Sequence, residues 1–411
     1  MTTRFRAMQH RNFQLFIGGQ LVSLVGTWMQ TTAQLWLVYR LTNSAAVLGL
    51  FGFASQIPML LLASVGGAVG DRYNRLHGVI ATQTCSMILA FVLAALQLTH
   101  RLHEWQIILI AFLVGIVNAF DVPIRQSLFV HLVGKEDLPN AIALNSSIFN
   151  GARVIGPPIA GFAIVWIGEG WCFFLNGISF LAVIGALLAM RVSHTRPEPR
   201  KESAWQNFIQ GFRFSMADLP IRSVLLLLSV LSLFGLQYSV FLPIFADSIL
   251  HGGARGMSYL MSSAGVGAVI GALYFAGRSS YTGLARWIAG TSLVCAVGLI
   301  IFSQSKFFSL SLAVIFFVGF AATVQMAATN TIVQNRVPDE LRGRVMAVYA
   351  TMFMGVQPIG SLIAGGVAKR VGAANTLTIF GLILLAAGLF FLFRVVLKLR
   401  QTPTPSTARA R

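Results

Sequence analysis

The amino-acid sequence predicts an all-α membrane protein, with twelve transmembrane helices in two pseudo-symmetric six-helix bundles. Three observations carry that prediction. Hydrophobic types make up 56% of the 411 residues and charged types 10%, with a mean hydropathy of +0.76; a soluble chain of this length needs a far more polar surface. The apolar residues fall into twelve runs, each near the ~20 residues that cross a bilayer as a helix. The two halves of the chain also repeat one another. Shifted by 204 residues, Glu136 meets Glu340, Gly151 meets Gly355, Gly156 meets Gly360, Ile159-Ala160-Gly161 meets Ile363-Ala364-Gly365, and Gln126-Ser127 meets Asn330-Thr331. A period of half the chain is not that of a solenoid. It fits two parallel halves with a site between them near the midplane.

The first six runs cover approximately residues 13–39, 45–70, 77–99, 105–130, 140–167 and 171–191. The second six cover approximately 220–246, 256–277, 285–304, 307–333, 343–368 and 375–397. Between the sixth and seventh lies the most hydrophilic internal stretch, Ser193 to Pro220. Within it Trp205, Phe208, Ile209, Phe212 and Met216 recur at helical spacing, with Gln206, Gln210 and Arg213 on other faces. That pattern predicts an amphipathic helix in the headgroup layer. The expected division is an N-terminal bundle (1–192), a cytoplasmic linker carrying this helix (193–219), a C-terminal bundle (220–398) and a short basic tail (399–411).

The net charge of +18 comes from 30 Lys+Arg against 12 Asp+Glu. In a soluble protein it would suggest nucleic acid. Here the bases cluster between apolar runs, which reads as topology signal and contact with anionic lipid. No basic face with stacking aromatics stands free of the membrane, so nucleic acid is not an expected partner. With the N-terminus inside, 23 bases fall on the cytoplasmic side and six outside (Arg40, Arg101, Arg255, Lys306, Lys369 and Arg370), leaving Arg153 within a run. Both termini are therefore expected in the cytoplasm, in a multi-pass membrane protein. The first run follows Arg4, Arg6 and Arg11 and is too long and too polar for a cleavable signal.

Cys85, Cys172 and Cys295 lie in or beside apolar runs, at spacings that suit neither metal nor disulfide. There is no HExxH, Walker loop, GxSxG or dinucleotide fingerprint. No cofactor, metal site or catalytic residue is expected, and the chain does not read as an enzyme.

The charge cluster with the most specific setting is Gly66-Gly67-Ala68-Val69-Gly70-Asp71-Arg72-Tyr73-Asn74-Arg75, between the second and third runs. Hydrocarbon does not tolerate these charges, so the loop marks a membrane surface. Its glycines would let another helix approach closely. Asp71 could accept from the N-terminus of a neighbouring helix, and the eleventh run, opening on Arg342-Gly343-Arg344, is the natural partner. The expected result is a one-sided latch of Asp71 with the helix start near Arg344; the bland alternative is a turn of ordinary topology charges.

Asn118, Asp121 and Arg125 share one face of the fourth helix by their spacing. Asp121 is the only carboxylate well inside a run. It is either a proton carrier or a structural partner of Arg125, and the second reading is favoured. Arg153 could meet an anionic substrate group, but internal pairing with Asp121 or a helix carbonyl is favoured, because an isolated charge there is costly. In the first helix Gln20, Ser23, Thr27, Gln30, Thr31 and Gln34 form a polar stripe. It lines a cavity or binds a neighbouring helix. With Asn118, Gln237, Tyr238, Gln325, Asn330 and Gln357, residues Gln30 and Gln34 describe a mainly neutral, amide-rich substrate pocket. The 32 Phe and 7 Trp favour an amphiphilic or aromatic cargo over a small ion.

At this point the chain resembles the major facilitator superfamily over nearly its whole length. Gly67-x-x-x-Asp71-Arg72-x-x-Arg75 looks like that family's signature loop, with Asn74 where a glycine is common. The second half keeps a degenerate copy, Gly271 to Arg278, in which Phe275 replaces the acid. Gly151, Gly156, Pro157, Pro158 and Gly161 are similar to the glycine–proline signature of the superfamily's proton-coupled exporters. Asn118-Ala-Phe-Asp121-Val-Pro123-Ile-Arg125-Gln126 resembles the enterobactin exporter-like subgroup of bacterial efflux proteins. The resemblance implies a secondary active transporter exporting a small drug- or siderophore-like molecule by alternating access, as a proton antiporter, with protons and membrane lipids as its other partners and a monomeric state. It further implies that the Asp71 loop gates the cytoplasmic side, and that the fifth helix packs on a partner in the other half. Uptake or facilitated diffusion by the same fold is the alternative. A non-transporting sensor or scaffold ranks lower, since only Gln401 to Arg411 follows the last basic cluster.

Overall fold

The computed structural model describes residues 3–190, 204–277 and 283–396. Among them the secondary structure is helical throughout. The N-terminal bundle contains α1 (Arg11–Thr42), α2 (Ala45–Arg72), α3 (Arg75–Leu98), α4 (Glu104–Trp166) and α5 (Glu169–Leu188). Then follow α6 (Ala204–Ala217), α7 (Leu219–Leu233), α8 (Tyr238–Ile244), α9 (Gly253–Ala276), α10 (Leu284–Gln304) and α11 (Phe308–Arg336). Last come α12 (Asp339–Ala350), α13 (Gln357–Val371) and α14 (Ala373–Phe391). Among the described residues ten helical segments are long and apolar enough to cross a membrane, so this is a multi-pass membrane protein.

Local sequence explains three of the helix starts. Ser44 caps α2 by accepting from Val47 N. Asn74, the departure from the signature loop, caps α3: its Oδ1 accepts from Leu76 N at 3.0 Å and His77 N at 3.4 Å. An amide is therefore useful at that position in a way that glycine is not. Asp218 caps α7 through Ile221 N.

Three elements differ from expectation. Residues 131–139, expected as a loop, continue α4, which runs for 63 residues and is broken at Gly134 (φ 77°, ψ 176°). Lys135 to Asp137 are compatible with helix, and the chain turns on one residue instead of nine. The eleventh helix begins at Asp339, not at Arg342-Gly343-Arg344. Asp339 and Glu340 suit the positive end of the helix, and Arg342 pairs back onto Asp339 at 2.5 Å. Finally, two of the expected second-half spans are segmented. A 3-10 turn at Gly235–Gln237 and a π-turn at Phe245–Ile249 interrupt the seventh, and a π-turn at Thr351–Gly355 separates α12 from α13.

The chain divides into two compact units. One comprises Met1–Lys201, Val240–Gly265 and Ser361–Lys369; the other comprises Glu202–Ser239, Val266–Gly360 and Arg370–Arg411. In the first, Phe13, Phe16, Val79, Leu128, Phe129 and Val183 belong to one buried cluster. The N-terminal turn is tied to α4, where Asn140 Oδ1 accepts from Ala7 N at 3.0 Å and Asp137 meets His10 at 2.9 Å. In the second, the expected amphipathic helix forms as α6 and Gly211 brings it against the Arg344 backbone of α12. The expected linker before Ala204 and the tail 399–411 lie outside the described residues.

Candidate functional site

The glycines of the Asp71 loop act on α4. A Cβ on Gly66 would collide with the Ala119 carbonyl oxygen and approach Phe120 Cα to 2.9 Å; one on Gly70 would meet Ile124 Cγ1 at 2.9 Å. Gly67 has its nearest neighbour at 4.0 Å and is no such contact. The second unit builds a comparable joint at a different register: Gly267 and Gly271 of α9 rest on the Phe316 and Phe320 carbonyls of α11, although Gly271 is the repeat counterpart of Gly67. Phe275 has replaced the acid there, yet the helix contact persists. Packing and charge are thus separable parts of the signature.

Arg75 contacts His131 of α4, and Arg72 is exposed. The Asp71 side chain lies outside the described residues. Arg344 donates to Gln210 of α6, a partner the sequence reading did not name.

Asp121 is 3% exposed and fully engaged. Its Oδ2 pairs with Arg125 Nε at 3.1 Å. Its Oδ1 accepts from Thr82 Oγ1 at 2.7 Å and Gln83 Nε2 at 2.9 Å. Three donors around one buried carboxylate form a charge-assisted network, with the Thr82 hydroxyl shared with the Val79 carbonyl at 2.9 Å. Asp121 and Arg125 thus pair along one helix face, as their spacing predicts. The α3 partners were missed, although Thr82-Gln83-Thr84 is a polar triplet in an otherwise apolar run. Asn118, on the same face, is exposed.

Arg153 is not brought to Asp121. Its guanidinium lies 5.8 Å from the Trp28 ring of α1, and among the described residues no carboxylate lies within ion-pairing distance. Next to it, Gly156 lets α4 meet α1, with Trp28 Cβ 2.5 Å from where its own Cβ would be. The repeat mate Gly360 meets Gln237 and the Leu233 carbonyl in the same way. Gly161 lies against Ser258 of α9, at 2.5 Å from a built Cβ to Oγ, and Ser262 Oγ donates to the Val154 carbonyl at 3.2 Å. Pro157 is buried and Pro158 half-buried, while Gly151 touches nothing.

Of the polar stripe, Gln20, Ser23, Gln30 and Gln34 are buried, while Thr27 and Thr31 are exposed. Gln30 Oε1 accepts from Asn176 Nδ2 at 2.8 Å. Gln34 Nε2 is buried without a partner among the described residues, as are Gln20 Oε1, both amide atoms of Gln325 and the Thr329 hydroxyl. Gln237 donates to the Ser232 carbonyl at 2.8 Å and the Gln357 carbonyl at 3.3 Å, so it joins two helices. Tyr238 is buried; Asn330 Oδ1 accepts from Gln334 at 2.5 Å.

Two polar contacts the sequence did not announce join distant segments of the first unit. Tyr39 hydroxyl donates to Asp247 Oδ2 at 3.0 Å and lies 2.7 Å from Ser248 Oγ. Arg40 grips buried Glu169 through two nitrogens, at 3.0 and 3.1 Å. Close by in sequence, Gly49 of α2 meets Ser361 and Gly365 of α13, again with no room for a side chain. Among the described residues no group of His, Cys, Asp or Glu could hold a metal ion.

The described residues thus form a helical multi-pass membrane protein with close glycine contacts in each of its two units and buried polar side chains. The family model described as transmembrane secretion effector matches residues 2–409, and the chain belongs to that family, within the major facilitator superfamily. It is 25% identical over 395 residues to the staphyloferrin A transporter of Staphylococcus aureus, covering 94% of this chain and 98% of the relative. It is also 25% identical over 408 residues to the enterobactin exporter EntS of Shigella boydii, covering 97% and 96%. Among solved structures it resembles a bacterial homologue of the lysosomal transporter Spinster (TM-score 0.71, 14% identity, covering 98% of this chain and 100% of that one). It also resembles the nucleoside transporter NupG (TM-score 0.72, 14% identity, covering 93% and 99%). The chain is therefore a transporter of small molecules and not an enzyme.

Proposed function

We propose that this protein is a twelve-helix secondary transporter that exports a siderophore- or drug-like organic molecule by alternating access, in exchange for protons. The observation that carries the reading is the match over nearly the full length to a secretion-effector family and to relatives named for enterobactin and staphyloferrin A. Twelve crossings are supported by two elements. At about 1.5 Å per residue, α4 is far longer than one ~30 Å crossing needs, and it is broken at Gly134. Helix α1 has 32 residues, and its polar stripe lowers its mean hydropathy. Within the first unit, the buried Gln34 Nε2, without a partner among the described residues, supports a neutral, hydrogen-bonding contact for the cargo, since buried polar atoms are normally satisfied. The distribution of bases supports both termini in the cytoplasm, and the bacterial sources of the relatives support a bacterial cytoplasmic membrane.

The test is a retention screen over siderophores and amphiphilic drugs in cells with and without the protein. Export predicts that deletion raises intracellular retention of the cargo. Lower accumulation on deletion would establish uptake, and no change for any compound would count against transport of this cargo class.

The gating reading of Asp71 yields a second expected result. Asp71→Asn is expected to leave membrane expression intact and to slow turnover by about tenfold, the scale of a lost charge-assisted contact of ~1.5 kcal/mol. Transport rates at matched protein level in proteoliposomes check it; unchanged turnover would leave the loop's charges as topology signals.

A further inference from the structure

A groove between α10 and α11 is not absorbed by the transport reading. It consists of two adjoining cavities, of about 390 and 370 Å³, that share Val294. Arg286, Trp287, Gly290 and Phe320 line the first; Val297, Ile301 and Phe317 line the second. On α10 the lining residues recur every three or four positions and so form one face. From Arg286 to Ile301 that face extends about 22 Å at the helical rise. This is most of one ~30 Å hydrocarbon core.

The chemistry of the groove is unequal along its length. Val294, Val297, Ile301 and Phe317 are 42–55% exposed. Thr291, in the first cavity, already spends its hydroxyl on the Trp287 carbonyl at 2.7 Å. At one end stands Arg286, exposed, and among the described residues no carboxylate is within ion-pairing distance of it. Beneath it the Trp287 ring packs 5.6 Å from Tyr274, whose ring is 5.8 Å from Phe320. A Cβ on Gly290 would meet nothing within 4 Å, so the cavity opens where that side chain is missing.

We propose that this groove holds one anionic glycerophospholipid, with an acyl chain along the α10 face and its phosphate on Arg286. A guanidinium forks onto phosphate oxygens through two parallel N–H donors. One fixed positive charge above a long apolar channel matches a lipid with one anionic headgroup. It does not match a hydrogen-bonding cargo, since Val294, Val297, Ile301 and Phe317 carry no polar side-chain atom and Thr291 already donates its hydroxyl. The inference rests on the membrane fold alone and is independent of transport direction.

The test uses the full chain in phosphatidylcholine nanodiscs with a minor fraction of phosphatidylglycerol, and reads retained lipid by native mass spectrometry. The native chain is expected to keep phosphatidylglycerol in preference to phosphatidylcholine. Arg286→Gln is expected to lower that preference about fivefold, the value of one base at an anionic lipid surface, with phosphatidylcholine retention unchanged. Gly290→Leu fills open space, so it is expected to fold normally and to lose both retained lipids; Arg101→Gln serves as a control that changes neither. Undiminished preference in Arg286→Gln, or full retention in Gly290→Leu, would overturn the site and leave only annular lipid.

Discussion

Gly66→Ala is expected to force α2 away from α4 and to destabilise the folded protein by about 2–3 kcal/mol, at the upper end of what one added core carbon costs. The added methyl would meet the Ala119 carbonyl, which is backbone and cannot rotate aside. Gly67→Ala, one residue on, has 4.0 Å of clearance and is expected to stay within ~0.5 kcal/mol of the native protein. Thermal unfolding of the two purified variants makes the comparison internal to one helix. Equal stability would mean that α2 can shift to absorb the methyl.

Arg125→Ala is expected to cost about 3–5 kcal/mol, because it strands a carboxylate that is 3% exposed. Asp121→Asn removes the charge but keeps an acceptor for Thr82 and Gln83, and should cost less, about 1–3 kcal/mol. Adding Asp121→Asn to Arg125→Ala should recover part of the loss, the signature of a coupled pair. The same Asp121→Asn protein addresses proton exchange. Substrate-driven pH change in proteoliposomes that persists unaltered would remove Asp121 from coupling, whereas its loss with transport retained would make the pair a proton site that opens during the cycle.

Much of the architecture was legible because bilayer physics leaves a strong imprint. Among the described residues, apolar run length located the ten helical segments long and apolar enough to cross a membrane, and hydrophobic spacing located α6. Helix ends were less legible. Asp339 and Glu340 look like loop charges until the helix dipole is considered, and Gly134 looks like a loop because glycine more often marks one. The candidate site divides similarly. Spacing along one helix joined Asp121 to Arg125, since four residues make one turn. Nothing in linear spacing could bring Thr82 to Asp121, Trp28 to Arg153 or Tyr39 to Asp247, because those meetings depend on which helices adjoin. The repeat supplied the missing information in one case: Gly156 and Gly360, matched by sequence alone, make equivalent contacts in their own units.

Gly134 has one more consequence. Its surroundings leave ample room, since a Cβ there would touch nothing within 4 Å. What excludes an ordinary residue is its φ of 77° with ψ of 176°, a region open almost only to glycine. Reflected, those angles become the extended polyproline-like conformation that any L-residue adopts freely. The position therefore asks for handedness, not smallness: a D-alanine would satisfy it where an L-alanine would not. The break in α4 between its two helical arms is in this sense a single mirror-image residue set in a right-handed protein.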